Sequence, residues 1–214
     1  MGVAFDQQGD MGMKKKTWVC AGLLTAVILS IIACGGPILY ADRDPDMKDF
    51  HPRSIGLLYT DVGTYGEARA VIDEIIIASL VNKRWFATVL PADTMKNQLK
   101  NDQELQKAVA DYLLKLTTVN YSDPALSKQI GDSLKIEAFL IVTVDSWNYT
   151  TEYQEKVAQK VAKSGLSMKL VEAATGRIVW KAGHNIVKEY TFLKPDLKDV
   201  GNSVVNAMIG AMPH

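Results

Sequence analysis

Residues 136–147 read IEAFLIVTVDSW, and this stretch decides the architecture. Phe139, Leu140, Ile141 and Val142 follow one another, so a strand here presents apolar side chains to both of its faces. A strand buried on both faces belongs in the middle of a sheet that carries helices on either side. The chain is therefore read as α/β, a single domain with a mixed β-sheet packed with helices.

Upstream, Ala68, Val71, Ile72, Ile75, Ile76 and Leu80 recur at spacings of three and four, which predicts an amphipathic helix over 66–82. It follows a first strand over 54–62, SIGLLYTDV, and precedes a short strand over 86–90. A brief helix over 92–100 comes next. Asn101 and Glu104 have capping-box spacing ahead of Leu105, Val109, Leu113 and Leu116, and Asp123-Pro124 caps a fourth helix. Downstream, 149–164 is polar and alternates weakly. Leu166, Met168 and Leu170 alternate with polar neighbours, AATGR turns the chain, and 178–181 returns as a strand. Leu197, Val200, Val204 and Met208 mark a C-terminal helix. The order β-α-β-α-α-α-β-β-β-α gives a mixed sheet.

The N-terminus differs in kind. Lys14-Lys15-Lys16 precede TWVCAGLLTAVILSIIA, an apolar core of about 15 residues closed by small ones, the layout of a secretory signal. A spanning helix needs about 20 apolar residues, and Thr25 and Ser30 interrupt this run. An uncleaved anchor helix is the competing reading. Ile31-Ile32-Ala33-Cys34 resembles the bacterial lipobox, and that resemblance implies diacylglycerol on the Cys34 thiol with cleavage between Ala33 and Cys34. Gly35, where Asp does not stand, resembles the outer-membrane-sorted type. Residues 1–12 look unlike a signal peptide, and Met11 or Met13 fits a true start. The expected organisation is a signal peptide over 1–33, a Gly-, Pro- and Asp-rich tether over 34–52, and the α/β domain over 53–214.

Composition narrows the function. Of 24 basic and 24 acidic residues, those from position 34 onward number 21 and 22, a balance that argues against a nucleic-acid partner. Cys20 and Cys34 are the two cysteines, so the body holds no cysteine metal site or disulfide. His51, His184 and His214 lack metal-ligand spacing, and no metal or cofactor is expected. Gly63 and Gly66 in DVGTYGEA sit where a phosphate loop would, without the Walker Lys-Ser/Thr pair or the GxGxxG spacing, and read as a βα turn. Asp61 is read as a helix cap or a solvent-exposed acid, and His184 as an exposed or hydrogen-bonded histidine at a turn. GxSxG, SxxK and HExxH are absent from the chain. The expectation is no enzyme activity. Trp147, Tyr149, Tyr153 and Trp180 leave two readings open, sheet core or contact surface. The sequons at Asn120 and Asn148 carry little weight beside a lipobox.

Four segments carry a wider resemblance: IGLLYTDV, then an amphipathic helix ending in LVNKRWFATVLP, then PALSKQIGDSLKIEAFLIVTVDSW, then GLSMKLVEAATGRIVWKAGH. The helix-to-strand unit at 130–142 and the hairpin at 170–180 are its most telling pieces. The chain resembles an envelope-lipoprotein family that includes CsgG, the N-terminal domain of TolB, and small Gram-negative lipoproteins of unknown function. That resemblance covers roughly 53–184. It implies a TolB N-terminal-like, anticodon-binding-domain-like fold facing the periplasm from the outer membrane. It further implies work through protein contacts, with envelope proteins and a homo-oligomer as the expected partners. One class in that family forms a secretion channel. A pore needs strands of about 9–11 residues with alternating lipid-facing apolar residues, whereas 150–165 carries Glu152, Glu155, Lys156, Lys160 and Lys163. A non-catalytic scaffold role in envelope assembly or export is the leading expectation. A channel subunit and an envelope hydrolase or small-ligand binder are the alternatives.

Overall fold

The two-sided apolar run does become the middle of a sheet. A computed structural model describes residues 38–154 and 157–214. Its strands are β1 (Tyr40–Arg43), β2 (Ser54–Asp61), β3 (Thr88–Leu90), β4 (Ala138–Gln154), β5 (Val157–Glu172) and β6 (Ile178–Tyr190). Its helices are α1 (Ala68–Lys83), α2 (Ala92–Asn101), α3 (Gln103–Thr118), α4 (Pro124–Leu134) and α5 (Leu197–Gly210). One six-stranded sheet runs β1-β6-β5-β4-β2-β3. The pairs β2–β3 and β2–β4 are parallel and the rest antiparallel, so the sheet is mixed.

Alternate residues of β4 go to two cores. Ala138, Leu140 and Val142 pack with Ile72, Ile76 and Leu80 of α1 and Val204 and Met208 of α5. Phe139 and Ile141 pack on the other face with Leu105, Val109 and Tyr112 of α3 and Ile130 and Leu134 of α4. Each Val, Leu, Ile, Phe or Met among them, fully buried, contributes about 1.5–3 kcal/mol of transfer free energy. Tyr112 meets Phe139 edge-on at 5.5 Å. Its hydroxyl pairs with Ser122 Oγ at 2.7 Å, and Ser122 Oγ donates to the Gly176 carbonyl at 2.5 Å. Burial pushes the Tyr112 phenol up to about 12.

The helix termini follow local chemistry. Asp123 Oδ1 accepts from the amides of Ala125 and Leu126 at 2.9 and 3.1 Å, with Pro124 opening α4 as read from the sequence. At α3 the cap is Asp102, which accepts from Leu105 N at 2.9 Å, and not Asn101, which ends α2 instead. Gly176, at φ +70°, supplies the left-handed residue of the β5–β6 turn.

Two expectations need correction. Within the segment read as tether, residues 40–43 form β1 and pair antiparallel with the edge of β6, from Tyr40↔Gly183 to Arg43↔Trp180. All four side chains of β1 are exposed, so backbone pairing rather than any apolar pattern places the strand. Arg177 then clamps the segment that follows, its Nη2 lying 2.6 Å from Asp44 Oδ2 and 3.3 Å from Asp46 Oδ2. The second correction concerns 149–164. This weakly alternating segment forms a continuous ribbon, with β4 and β5 paired from Ala138↔Glu172 out to Gln154↔Val157. At about 3.3 Å per residue, β4's 17 residues span roughly 55 Å. Pairing with β2 stops at Asp61↔Thr143, and beyond it only β5 and β6 accompany β4.

Candidate functional site

Cys34 and Ala33, the expected lipid-attachment and cleavage residues, lie outside the described residues, as do Cys20 and the whole basic-apolar leader. The remaining candidates fall in different places. Asp61 closes its own turn by accepting from Gly63 N at 3.0 Å, and α1 begins without a side-chain cap. Gly63 has φ +48° and open space around it, so this is a βα turn built on a left-handed glycine. His51 and His214 come together, His51 Nδ1 lying 2.5 Å from the His214 carbonyl, while the His214 ring stacks on Trp85 at 3.7 Å. Among the described residues, no group of three His, Cys, Asp or Glu side chains is placed to hold a metal ion.

His184 is neither exposed nor hydrogen-bonded, contrary to the sequence reading. It lies within β6 rather than at a turn, it is 1% exposed, and neither ring nitrogen has a protein partner. Ala182 and Trp180 share its face, which is the face covered by α5, and Leu166 is its cross-strand neighbour. Burial holds the imidazole pKa below its ordinary value of 6.5, which keeps the ring neutral at neutral pH. Ser164 Oγ, further along the same face, is also buried without a partner.

The four aromatics divide between the two readings. Trp147 and Trp180 are core, at 4% and 1% exposure, whereas Tyr153 is 75% exposed. Tyr149 does something more specific. Its hydroxyl donates to the Pro195 carbonyl at 2.7 Å. Lys194 Nζ stands 3.4 Å from its ring centroid, and Tyr190 meets it edge-on at 6.1 Å. One side chain on β4 thus pins both ends of the loop 191–196 that joins β6 to α5. Out of that pinned loop project Phe192, 99% exposed, and Leu193, 87% exposed.

Sequence reasoning missed this pair. The signal available was two adjacent large apolar residues within KEYTFLKPD, flanked by Lys188 and Lys194. The register puts neighbours at the same end. Lys160 lies opposite Tyr190 and Lys188 opposite Ala162, while Tyr153, opposite Ala158, is level with where β6 gives way to the loop.

On the opposite face of the ribbon lies a shallow cleft of about 380 Å³, bordered by Tyr40, Asp145, Lys163, Ser167, Asn185 and Val187. Ser167 Oγ donates to Asp145 Oδ2 at 2.6 Å, and Lys163 pairs with Glu152. Asp145 is thus engaged by the Ser167 hydroxyl, and Lys163 by a carboxylate outside the cleft. His184 also borders the cleft, with its ring on the face of the sheet shared by Trp180 and Ala182. The arrangement offers polar groups for binding.

No protein-family model matches the chain, nor does the sequence of any curated protein. Among solved structures, the chain is similar to the PelC dodecamer from Paraburkholderia phytofirmans, at 13% identity and TM-score 0.49, covering 81% of this chain and 95% of that one. It is similar to lipoprotein GNA1162 from Neisseria meningitidis, at 16% identity and TM-score 0.46 over 73% and 96%. Protein XCC0632 from Xanthomonas campestris, of family-model DUF330, follows at 9% identity and TM-score 0.39 over 81% and 89%.

Proposed function

We propose that this chain is an envelope lipoprotein that carries diacylglycerol on Cys34 after cleavage behind Ala33. Its α/β domain faces the periplasm from the outer membrane and works there as a non-catalytic scaffold in assembling or exporting an envelope component. The observation that carries this reading is the sequence Ile31-Ile32-Ala33-Cys34, standing directly behind a basic and apolar leader. Two or more acyl chains hold a protein on a bilayer where one does not. The resemblance of residues 53–184 to the CsgG and TolB N-terminal family supports the same setting. The cleft, with Asp145, Ser167 and Lys163 already paired, supports contact with partners over chemistry.

Growth with a clickable palmitate analogue tests the anchor. The wild-type chain takes the label and Cys34→Ala does not; an unlabelled wild type, or equal labelling of both, ends this reading. Crosslinking in cells followed by mass spectrometry then identifies the protein partners, and recovery of the domain alone, without envelope proteins or further copies, counts against the scaffold role.

A channel subunit is the second reading, and the observation that favours it is the long β4–β5 ribbon. Its outer part carries Thr150, Thr151, Glu152, Gln159 and Lys160, which gives it no apolar stripe for lipid. Ion conductance through bilayers holding the purified lipidated protein would revive it.

A further inference from the structure

Phe192 and Leu193 are not stray surface apolars. Single exposed leucines are ordinary, but here a phenylalanine and a leucine stand side by side at 99% and 87% exposure on a loop that three contacts to Tyr149 hold in place. A loop fixed in advance loses little conformational freedom when it is buried against something else. Lys160, Lys188 and Lys194 lie at this end by register and sequence, with Glu189 on the end of β6 and Asp196 at the end of the loop as the opposing charges.

The path of the chain says what lies at this end. β1 runs antiparallel to β6 with Tyr40 opposite Gly183, so the chain reaches Tyr40 from the side on which β6 continues toward Tyr190. Leu39 already borders the same cleft as Ile186 and Val187. Cys34 lies six residue steps before Tyr40. Their covalent reach is at most about 20 Å, which is also about the length of β6 from Gly183 to Glu189. An anchor on Cys34 therefore lies within about 20 Å of Tyr40, and the chain enters β1 from the side of the sheet end that bears Phe192 and Leu193.

We propose that this end seats in the interfacial layer of the phospholipid bilayer, with Phe192 and Leu193 entering the acyl-chain boundary, Tyr153 beside them at the interface, and the lysines among the headgroup phosphates. The inference rests on the reading of Cys34 as the lipid-bearing residue. It deepens that reading by fixing which face of the domain meets the membrane. Apolar tips flanked by lysines suit this role, because lysine buries its methylene stem while its ammonium stays in water. Both acyl chains and loop then hold the domain, and its α3–α4 face and β5–β6 turn point away from the lipid.

The test uses the full chain in phosphatidylethanolamine–phosphatidylglycerol membranes, with a nitroxide on Leu193→Cys in a Cys20→Ser background. A second label on Val119→Cys serves as reference. Val119 is exposed and follows α3, close to Ser122, which touches the Gly176 turn at the opposite end of β6. The expected result is an oxygen-to-nickel collision ratio several-fold higher at 193 than at 119, with the 193 label quenched by lipid. Equal ratios at the two sites overturn the inference. A label at 193 that is immobile and shielded from both quenchers overturns it too, in favour of a second copy or another protein covering the loop. Palmitate labelling of the same samples reports the anchor separately. A palmitate-bearing chain with a water-exposed loop refutes the loop alone; a chain without palmitate is read again with Cys34→Ser added, and an immersed 193 label there refutes the anchor alone.

Discussion

The ring of Tyr40 in β1 occupies the space that a side chain on Gly183 of β6 would fill. A β-carbon placed there would lie 2.8 Å from Tyr40 Cζ and 3.0 Å from its hydroxyl oxygen. The two residues are also backbone partners across the β1–β6 edge. Gly183→Ala should therefore push the half-exposed ring aside and loosen β1 while leaving the core intact. Global stability is expected to change by less than about 1 kcal/mol. Amide exchange at 40–43 is expected to rise clearly above the wild-type rate. Hydrogen exchange read by mass spectrometry checks both, and unchanged protection of β1 would remove the steric account.

Gly201 holds α5 close to the sheet. A β-carbon there would come within 2.5 Å of Trp147 Cζ3 and 2.8 Å of Cη2, and the buried indole has nowhere to move. Alanine is favoured over glycine within a helix by about 1 kcal/mol, whereas overpacking a core costs about 1–3 kcal/mol. With the indole fixed, overpacking outweighs the helix gain, so Gly201→Ala is expected to destabilise by up to about 2 kcal/mol net in urea unfolding. Adding Trp147→Phe should recover part of that loss, a coupling that a double-mutant cycle measures.

The parts of the fold that could be read from sequence are those in which side chains report burial. Phe139 to Val142 marked the central strand, Ile72, Ile76 and Leu80 marked α1, and Thr175-Gly176 marked the hairpin turn, because each has one environment and a residue type suited to it. What escaped was held by backbone. Tyr40 to Arg43 are all exposed, so their pairing with β6 leaves no alternating apolar pattern. Thr150 to Lys160 belong to a ribbon that runs past the helices, and polar residues there look like loop. His184 was misplaced for a related reason, since its neighbours Ala182 and Gly183 are small and conceal the continuation of β6. The anchor at Cys34 was legible only as a motif, whereas the exposed pair at Phe192 and Leu193 needed coordinates to show that Tyr149 pins it.

The cap of α3 separates a sequence pattern from an observed bond. Asn101 and Glu104 have the spacing of a capping box, yet Asp102 accepts from Leu105 N at 2.9 Å and Asn101 ends the preceding helix. Losing an N-cap side chain costs about 1 kcal/mol. Asp102→Ala is expected to show that loss in the urea midpoint at unchanged m-value, and Asn101→Ala only a few tenths. The reverse order would restore the capping-box reading.

His184 gives the stability of this protein a pH dependence with a definite sign. Its folded pKa lies below 6.5 because burial disfavours the charged ring, and no partner offsets that cost. Below pH 6.5 the unfolded chain therefore takes up a proton that the folded chain resists. Stability contributed by the neutral ring is complete above 6.5 and declines as pH falls from there through the lowered folded value. One proton limits the slope to about 1.4 kcal/mol per pH unit. Asp44 and Asp123, whose carboxyls are held below the ordinary 3.8, lose their contributions only in stronger acid. His184→Leu removes an unpaired buried polar group, and at neutral pH it is expected to lie within about 1 kcal/mol of wild type. Its urea midpoint should then stay level through mild acid while that of the wild type falls. Parallel slopes for the two proteins would show that some other group titrates in this window and that His184 carries none of the effect.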